Sequence, residues 1–312
     1  MIPLPLGEIR KARERIAGVA IRTPLVRLPD TDIWLKLENL QPIGSFKIRG
    51  AANAMRQASA EALSRGVVTA SAGNMAQGVA WNARLLGVPC TVVVPEHAPQ
   101  TKLAAIERLG GRIVKVPFER WWQCLVDHAF PGVEGLFVHP VEDEQVMAGN
   151  GTIGLELLED LPDVDTVLVP WGGGGLSAGI ASALGALAPR VRVFGIEVET
   201  AAPLGASLRA GSPQTIDHKP SFVDGIGGKS LLPRMWPVAQ LLAGALSASL
   251  DEIAAAIRLL AERVRVIAEG AGAAPVAVAT SGRAGGGKIA CIVSGGNLDS
   301  AKLTRILAGE TP

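Results

Sequence analysis

Short runs of β-branched and apolar residues alternate with alanine-rich stretches along almost the whole chain, and this alternation constrains the fold more than any other feature. The candidate strands are Ile33–Leu37, Val67–Ala70, Cys90–Val94, Ile113–Val116, Leu136–Val138, Val167–Pro170, Val191–Ile196 and Ile289–Val293. Several are near-continuous apolar runs bounded by Gly or Pro, as a strand covered on both faces must be. Gln77–Leu86, Thr101–Leu109, Leu176–Leu187 and Ile253–Val266 lie between them, each long enough for a crossover helix, and a further helix is expected over Leu6–Ala17. The pattern predicts an α/β fold with mainly parallel sheets covered by helices.

A chain of 312 residues exceeds one typical domain, which predicts two lobes. The block from Val67 to Val138 carries four β/α units of its own. The expected division is a small domain over 52–147, inserted into a large domain built from 1–51 and 148–312.

Hydrophobic residues make up 48% and charged residues 19% of the chain, the balance of a folded protein. Thirty Lys and Arg against 29 Asp and Glu leave a formal charge of +1, with no basic run. Nothing here forms an electrostatic footprint for nucleic acid or an anionic membrane, which leaves small-molecule chemistry. Cys90, Cys124 and Cys291 are odd in number and form no C-x-x-C pair, as expected in a reducing cytoplasm. The first residues lack a basic segment followed by an apolar run, and no stretch reaches the roughly 18 apolar residues of a membrane span, so neither a signal peptide nor a span is expected.

Four segments carry chemistry. In Ser45-Phe46-Lys47 a strand leads through a Gly-Pro turn into a helix expected to start near Ser45. A lysine in a first helical turn opposes the helix dipole. Such an amine, partly buried beside positive potential, has a lowered pKa and can form an imine with a carbonyl group, whereas an arbitrary lysine is a solvated surface residue. Ser71-Ala72-Gly73-Asn74-Met75 closes a strand and opens a helix whose free N–H groups can bind a carboxylate or phosphate, or which is simply a capped turn. Gly172-Gly173-Gly174-Gly175-Leu176 repeats the strand, loop and helix order with room for converging N–H groups. No Lys-Ser/Thr pair follows, which argues against a nucleotide-hydrolase P-loop. Gly173, Gly175 and Ala178 also fit a dinucleotide fingerprint, with Glu197 on the next strand in the ribose position, so a nicotinamide oxidoreductase is the rival reading. Ser294-Gly295-Gly296-Asn297 ends a buried strand on a hydroxyl that can hydrogen-bond a ring nitrogen, or is a plain Ser-Gly turn.

In this order and spacing the four segments resemble the fold-type-II pyridoxal-phosphate enzymes, in particular their serine/threonine dehydratase branch. The resemblance runs from about Arg22-Thr23-Pro24-Leu25 to Leu303 and includes Ala148 to Glu156, Asp224-Gly225 and Glu269 to Ala273. It implies a two-lobed fold whose large domain binds pyridoxal 5'-phosphate. Lys47 would hold the cofactor as a Schiff base, with Phe46 packed near its ring. Asn74 would bond the ring hydroxyl, the N–H groups of Gly172, Gly173, Gly174, Gly175 and Leu176 would hold the phosphate, and Ser294 would face the pyridine nitrogen. Ser71, Asn74 and the Met75 backbone would bind the substrate carboxylate.

The resemblance further implies β-elimination from L-threonine, L-serine or a related β-hydroxy amino acid to a 2-oxo acid and ammonia, in a homo-oligomer, a dimer by family habit. A racemase or β-replacement enzyme of the same family is the alternative. Ala72 stands where the racemases carry a proton-donating serine, which disfavours racemisation. Met75 replaces the histidine of many relatives and makes the pocket wall more apolar. Glu197 matches a divalent-metal glutamate of the family, but Pro203 falls where an aspartate ligand would be, so no metal is expected. His97, His128, His139 and His218 form no zinc pattern, and Trp121-Trp122 is expected as a core or lobe-edge anchor. The chain ends soon after Ser294, like the short catabolic dehydratases without a regulatory domain, so isoleucine inhibition is not expected.

Overall fold

The computed structural model describes residues 3–312; Met1 and Ile2, part of the segment assigned to the large domain, lie outside the described residues. In chain order the first half comprises α1 (Leu6–Arg15), β1 (Leu25–Arg27), β2 (Ile33–Lys36), α2 (Lys47–Gln57), α3 (Ala60–Ser64), β3 (Val67–Ala70), α4 (Asn74–Leu86), β4 (Cys90–Pro95), α5 (Gln100–Arg108), β5 (Arg112–Val116), α6 (Phe118–Asp127) and β6 (Leu136–Phe137). The second half comprises α7 (Glu144–Asp160), β7 (Thr166–Pro170), α8 (Gly175–Leu187), β8 (Arg192–Val198), α9 (Pro203–Ala210), α10 (Trp236–Ala239), β9 (Gly244–Ala248), α11 (Leu250–Leu259), α12 (Gly270–Thr280), β10 (Ile289–Ile292) and α13 (Ser300–Leu307).

Two sheets result. The larger runs β1-β2-β10-β7-β8-β9 and the smaller β5-β4-β3-β6. Every pairing is parallel except that of the edge strand β1, which runs antiparallel to β2. All four strands of the smaller sheet come from residues 67–137, whereas the larger draws on both ends of the chain. Residues 51 and 52 both lie in α2, and 147 and 148 both in α7, so each passage between the sheets is made along a helix.

Alternation along the strands explains the layers. Leu168 of β7 and Cys291 of β10 pack into one apolar cluster with α11 and α12, while Val167, Val169, Ala290 and Ile292 pack into another with α7 and α8. In the smaller sheet Val92 and Val94 face one cluster and Val93 the other. Both faces of each sheet are therefore apolar, which is why these strands read as unbroken hydrophobic runs.

α7 crosses α2 and α8 with almost no space between backbones. A Cβ on Gly149 would lie 2.4 Å from the Arg49 carbonyl oxygen, and one on Gly179 would lie 2.2 Å from that of Met147. Beneath this crossing, Arg49 is buried between Glu38 and Glu156 at 2.8 and 2.6 Å, and Lys36 reaches Glu156 at 2.7 Å. Burial alone would raise the Glu38 pKa, but the Arg49 guanidinium and its hydrogen bonds hold it below the usual carboxylate range. The network ties β2, α2 and α7 together directly under the segment that carries Lys47.

Candidate active site

The site lies where parallel strands end, the place an α/β sheet offers for a ligand. β2, β10 and β7 are neighbours in the larger sheet, so the segments that follow them, at Lys47, Ser294 and Gly172, arrive side by side. β3 and β6 are neighbours in the smaller sheet, and they deliver Ser71 to Met75 and His139 to Val141. One cavity of about 330 Å³ lies between the two sets. Phe46, Lys47, Ser71, Asn74, Met75, Gly172, Gly173, Gly174, Gly175, Leu176 and Ser294 all line it, so the structure brings together every residue singled out for the site.

Lys47 is the first residue of α2, two positions later than the helix start expected at Ser45. Its Nζ donates to the Pro140 carbonyl at 2.9 Å and lies 5.1 Å from the centre of the Phe46 ring. Burial pulls its pKa down to about 8, against the opposing charge of Glu269. About a tenth of the amine is then neutral at pH 7, far more than for an ordinary lysine, and the neutral form is the one a nucleophilic amine requires.

α8 begins at Gly175 without a side-chain cap. The backbone N–H groups at its start are thus left for an anion, reinforced by the helix dipole. Gly174 sits at φ +92°, and a Cβ there would lie 2.6 Å from the Trp171 ring. The loop can only follow this path as glycine.

The residues of this cavity fit pyridoxal phosphate: the uncapped start of α8 would suit its phosphate, the buried amine of lowered pKa its aldehyde, and the Ser294 hydroxyl its ring nitrogen. Asn74 donates from Nδ2 to Glu269 at 2.8 Å and accepts from Asn297 at 2.8 Å. These bonds orient its amide in the wall.

Glu269 had no role assigned from the sequence, where it stood only as part of the Glu269 to Ala273 segment. In the structure it lines the cavity with Lys47. Burial, aided by Asp224, raises its pKa to about 7, with the Asn74 hydrogen bond pulling the other way. A glutamate directly preceding a run of small residues, Gly270 to Ala274, was the signal that could have found it. Lys102 was missed as well, and Asp224 stood only in the Asp224-Gly225 pair of the resemblance. They form an ion pair at the cavity edge that joins α5 to the turn after residue 223.

Two other clusters fail as ligand sites on chemical grounds. Glu197 accepts from the N–H groups of Leu204 and Gly205 at 2.7 and 2.8 Å, so its carboxylate caps α9. It is not presented to a ribose beside the Gly173–Ala178 loop, and the dinucleotide reading loses its acidic residue. His128, His139 and Glu142 meet in space although the sequence showed no pattern. His139 Nδ1 accepts from the N–H groups of Val141 and Glu142 at 3.1 and 2.8 Å, which places the ring proton on Nε2 and leaves no free lone pair for a metal. His139 instead props the 139–142 segment. Trp121 is half-buried against the smaller sheet and Trp122 is 39% exposed, so of the two expected positions, core or lobe edge, the pair does not take the core. Among the described residues no helix is long and apolar enough to cross a membrane.

A family described as pyridoxal-phosphate dependent enzyme matches residues 16–295. The L-threonine ammonia-lyase of Thermotoga maritima is 40% identical, covering 97% of this chain and 78% of that protein. Among solved structures, maize serine racemase superposes with a TM-score of 0.89 at 32% identity, covering 98% of this chain and 97% of the other. The processed threonine deaminase isoform 2 of Solanum lycopersicum superposes with a TM-score of 0.85 at 31% identity, covering 98% and 94%.

Proposed function

Because this chain belongs to the pyridoxal-phosphate-dependent enzymes, a family matched across residues 16–295, we propose that it is an ammonia-lyase for small β-hydroxy amino acids. L-Threonine, L-serine or a close analogue would give a 2-oxo acid and ammonia. The observation that carries this reading is the meeting of Lys47, the uncapped start of α8 and Ser294 in one cavity. The likeness to a threonine ammonia-lyase at 40% identity supports the substrate class.

When bound, pyridoxal phosphate supplies a carbonyl for amines and an electron-withdrawing ring that acidifies the substrate Cα–H. The N–H groups of Gly172 to Leu176 would hold its phosphate, Phe46 would pack at its ring and Asn74 would bond its hydroxyl. Ser294 offers the ring nitrogen a neutral hydroxyl, which accepts or donates a hydrogen bond without imposing a charge. Ser71, Asn74 and the Met75 backbone, at the start of α4, would receive the substrate carboxylate. Lys47, held at the Pro140 carbonyl and of lowered pKa, would take the proton from Cα. Glu269, with its pKa raised to about 7, can keep or release a proton near neutral pH beside that amine. The same reading takes the chain to be a homodimer acting in the cytoplasm, with a small domain at 52–147 inserted into a large one at 1–51 and 148–312; sedimentation velocity checks the dimer.

An oxo-acid assay across L-threonine, L-serine and bulkier β-hydroxy amino acids tests the activity. Release of oxo acid and ammonia in equal amounts is expected; failure with every one of these substrates would remove the ammonia-lyase assignment.

The fold neighbour named serine racemase makes racemisation the second reading. Ala72 lines the cavity, and a methyl group cannot protonate a carbanion. Wild type should therefore leave little D-isomer in residual L-serine, while Ala72→Ser should introduce some. Chiral chromatography decides, and D-isomer formed by wild type as fast as oxo acid would overturn the assignment of Ala72.

A further inference from the structure

A second cavity, of about 630 Å³, lies behind the first, well within the size range of small-molecule sites. The two share Pro140, Val141, Gly172 and Gly173, so the wall between them is the 139–142 segment and the start of the glycine loop. α6 forms one side. Phe118, Trp122 and Val126 recur at a spacing of one helical turn and are 51%, 39% and 59% exposed, and Trp121 and Leu125 complete the surface. Leu232, His218 and Lys229 stand on the other side.

The charges around this cavity are distributed unevenly. Glu142 is the carboxylate in the lining, and it faces the His128 imidazole at 3.6 Å. Lys229 is exposed and forms no ion pair among the described residues. Lys102, at the edge of the first cavity, is by contrast paired with Asp224. A ligand with an apolar ring or chain and one negative group is complementary to this arrangement, its body on α6 and its anion at Lys229.

The wall leaves no slack on its far side. A Cβ on Gly173 would lie 2.4 Å from a Val141 methyl, and one on Gly175 would lie 3.0 Å from the Val141 carbonyl oxygen. His139 fixes the same segment through the N–H groups of Val141 and Glu142, and Pro140 holds Lys47. A shift of Val141 from the side of the second cavity would therefore meet the glycine loop and the Pro140 carbonyl that accepts from Lys47.

We infer that the second cavity is a regulatory site for a small aromatic or aliphatic carboxylate, whose binding lowers turnover by displacing the 139–142 wall. Only the kinetic half of the test rests on the activity proposed above; calorimetry reads binding independently of it. The probe is indole-3-propionate, titrated into the holoenzyme. One saturable site per chain is expected. Lys229→Gln should weaken binding by about fivefold, and Val126→Asp, at an exposed position, by about tenfold or more. With amino-acid substrate present, the probe should lower kcat by about fivefold without competing for the substrate site. Absence of saturable heat, or equal affinity in both variants, would overturn the inference. So would inhibition competitive with substrate, which would place the carboxylate in the first cavity. A wild-type dimer that becomes monomeric in Val126→Asp would also overturn it, because a second copy of the chain would then cover α6.

Discussion

Lys47 and Glu269 are the two residues whose ordinary protonation is most altered by the cavity that contains both. Burial lowers the lysine to about 8 and raises the glutamate to about 7, and each charge favours the charged form of the other. Reaction of the cofactor-free protein with pyridoxal phosphate needs the neutral amine. Its rate should rise with pH and level off above about 8, where an ordinary lysine would keep gaining up to 10.5. Glu269→Gln removes the opposing charge, so the midpoint should move lower still; stopped-flow absorbance across pH measures both. A midpoint in Glu269→Gln above that of the wild type would show that the two groups are not coupled as described. Arg49 is a different case, since it never meets the cavity. Arg49→Ala leaves Glu38 buried without its ion-pair partner and Glu156 with Lys36 alone, and should cost about 3–5 kcal/mol in denaturant unfolding. A loss under 1 kcal/mol would mean that the network relaxes or hydrates freely.

The glycine loop and the α7 crossing show what an element demands of its sequence. Gly172 to Gly175 was legible as an anion cradle because consecutive glycines between a strand and a helix have few other uses. The structure adds the local reason, a left-handed turn at Gly174 against Trp171. Gly174→Ala should keep the fold by circular dichroism and weaken pyridoxal-phosphate binding about tenfold, given the cost of a side chain in that conformation. Unchanged affinity in a fluorescence titration would count against the loop as the phosphate site. The stretch from Ala148 to Glu156 was visible only as a family likeness. Its glycines clear the path of α2 and α8, and its Glu156 closes the buried ion network. Neither role shows in local periodicity, because both depend on partners distant in sequence. β1 and β9 were missed for a related reason: both are edge strands, one three residues long and the other built of Gly, Ala and Ser with a single Leu. A helix, by contrast, is expected where Cys124 and His128 stand four residues apart, and α6 runs to Asp127 there with His128 as its C-cap.

At the scale of the molecule, the α/β class and the parallel sheets follow from buried strands that are apolar on both faces, and these were readable as unbroken runs. The candidate site was readable because each of its segments directly follows a strand, where a turn rich in Gly, Ser and Asn has no packing purpose. What the sequence could not supply is strand order. Only the order β2-β10-β7 brings Lys47, Ser294 and Gly172 together, and only the approach of the smaller sheet sets Pro140 and Asn74 opposite them. The places of Glu269 and Asp224 in the cavity wall, and the second cavity, depend on the same order, so both residues stood in the sequence as parts of the resemblance without a role. In the proposed function the chemistry passes through Lys47. The most direct test is Lys47→Ala, purified with pyridoxal phosphate and compared with wild type for the visible imine band and for oxo-acid release from L-threonine. Loss of the band and a fall in turnover of about three orders of magnitude or more are expected, with unfolding unchanged; wild-type turnover in the variant would show that the reaction does not depend on this amine.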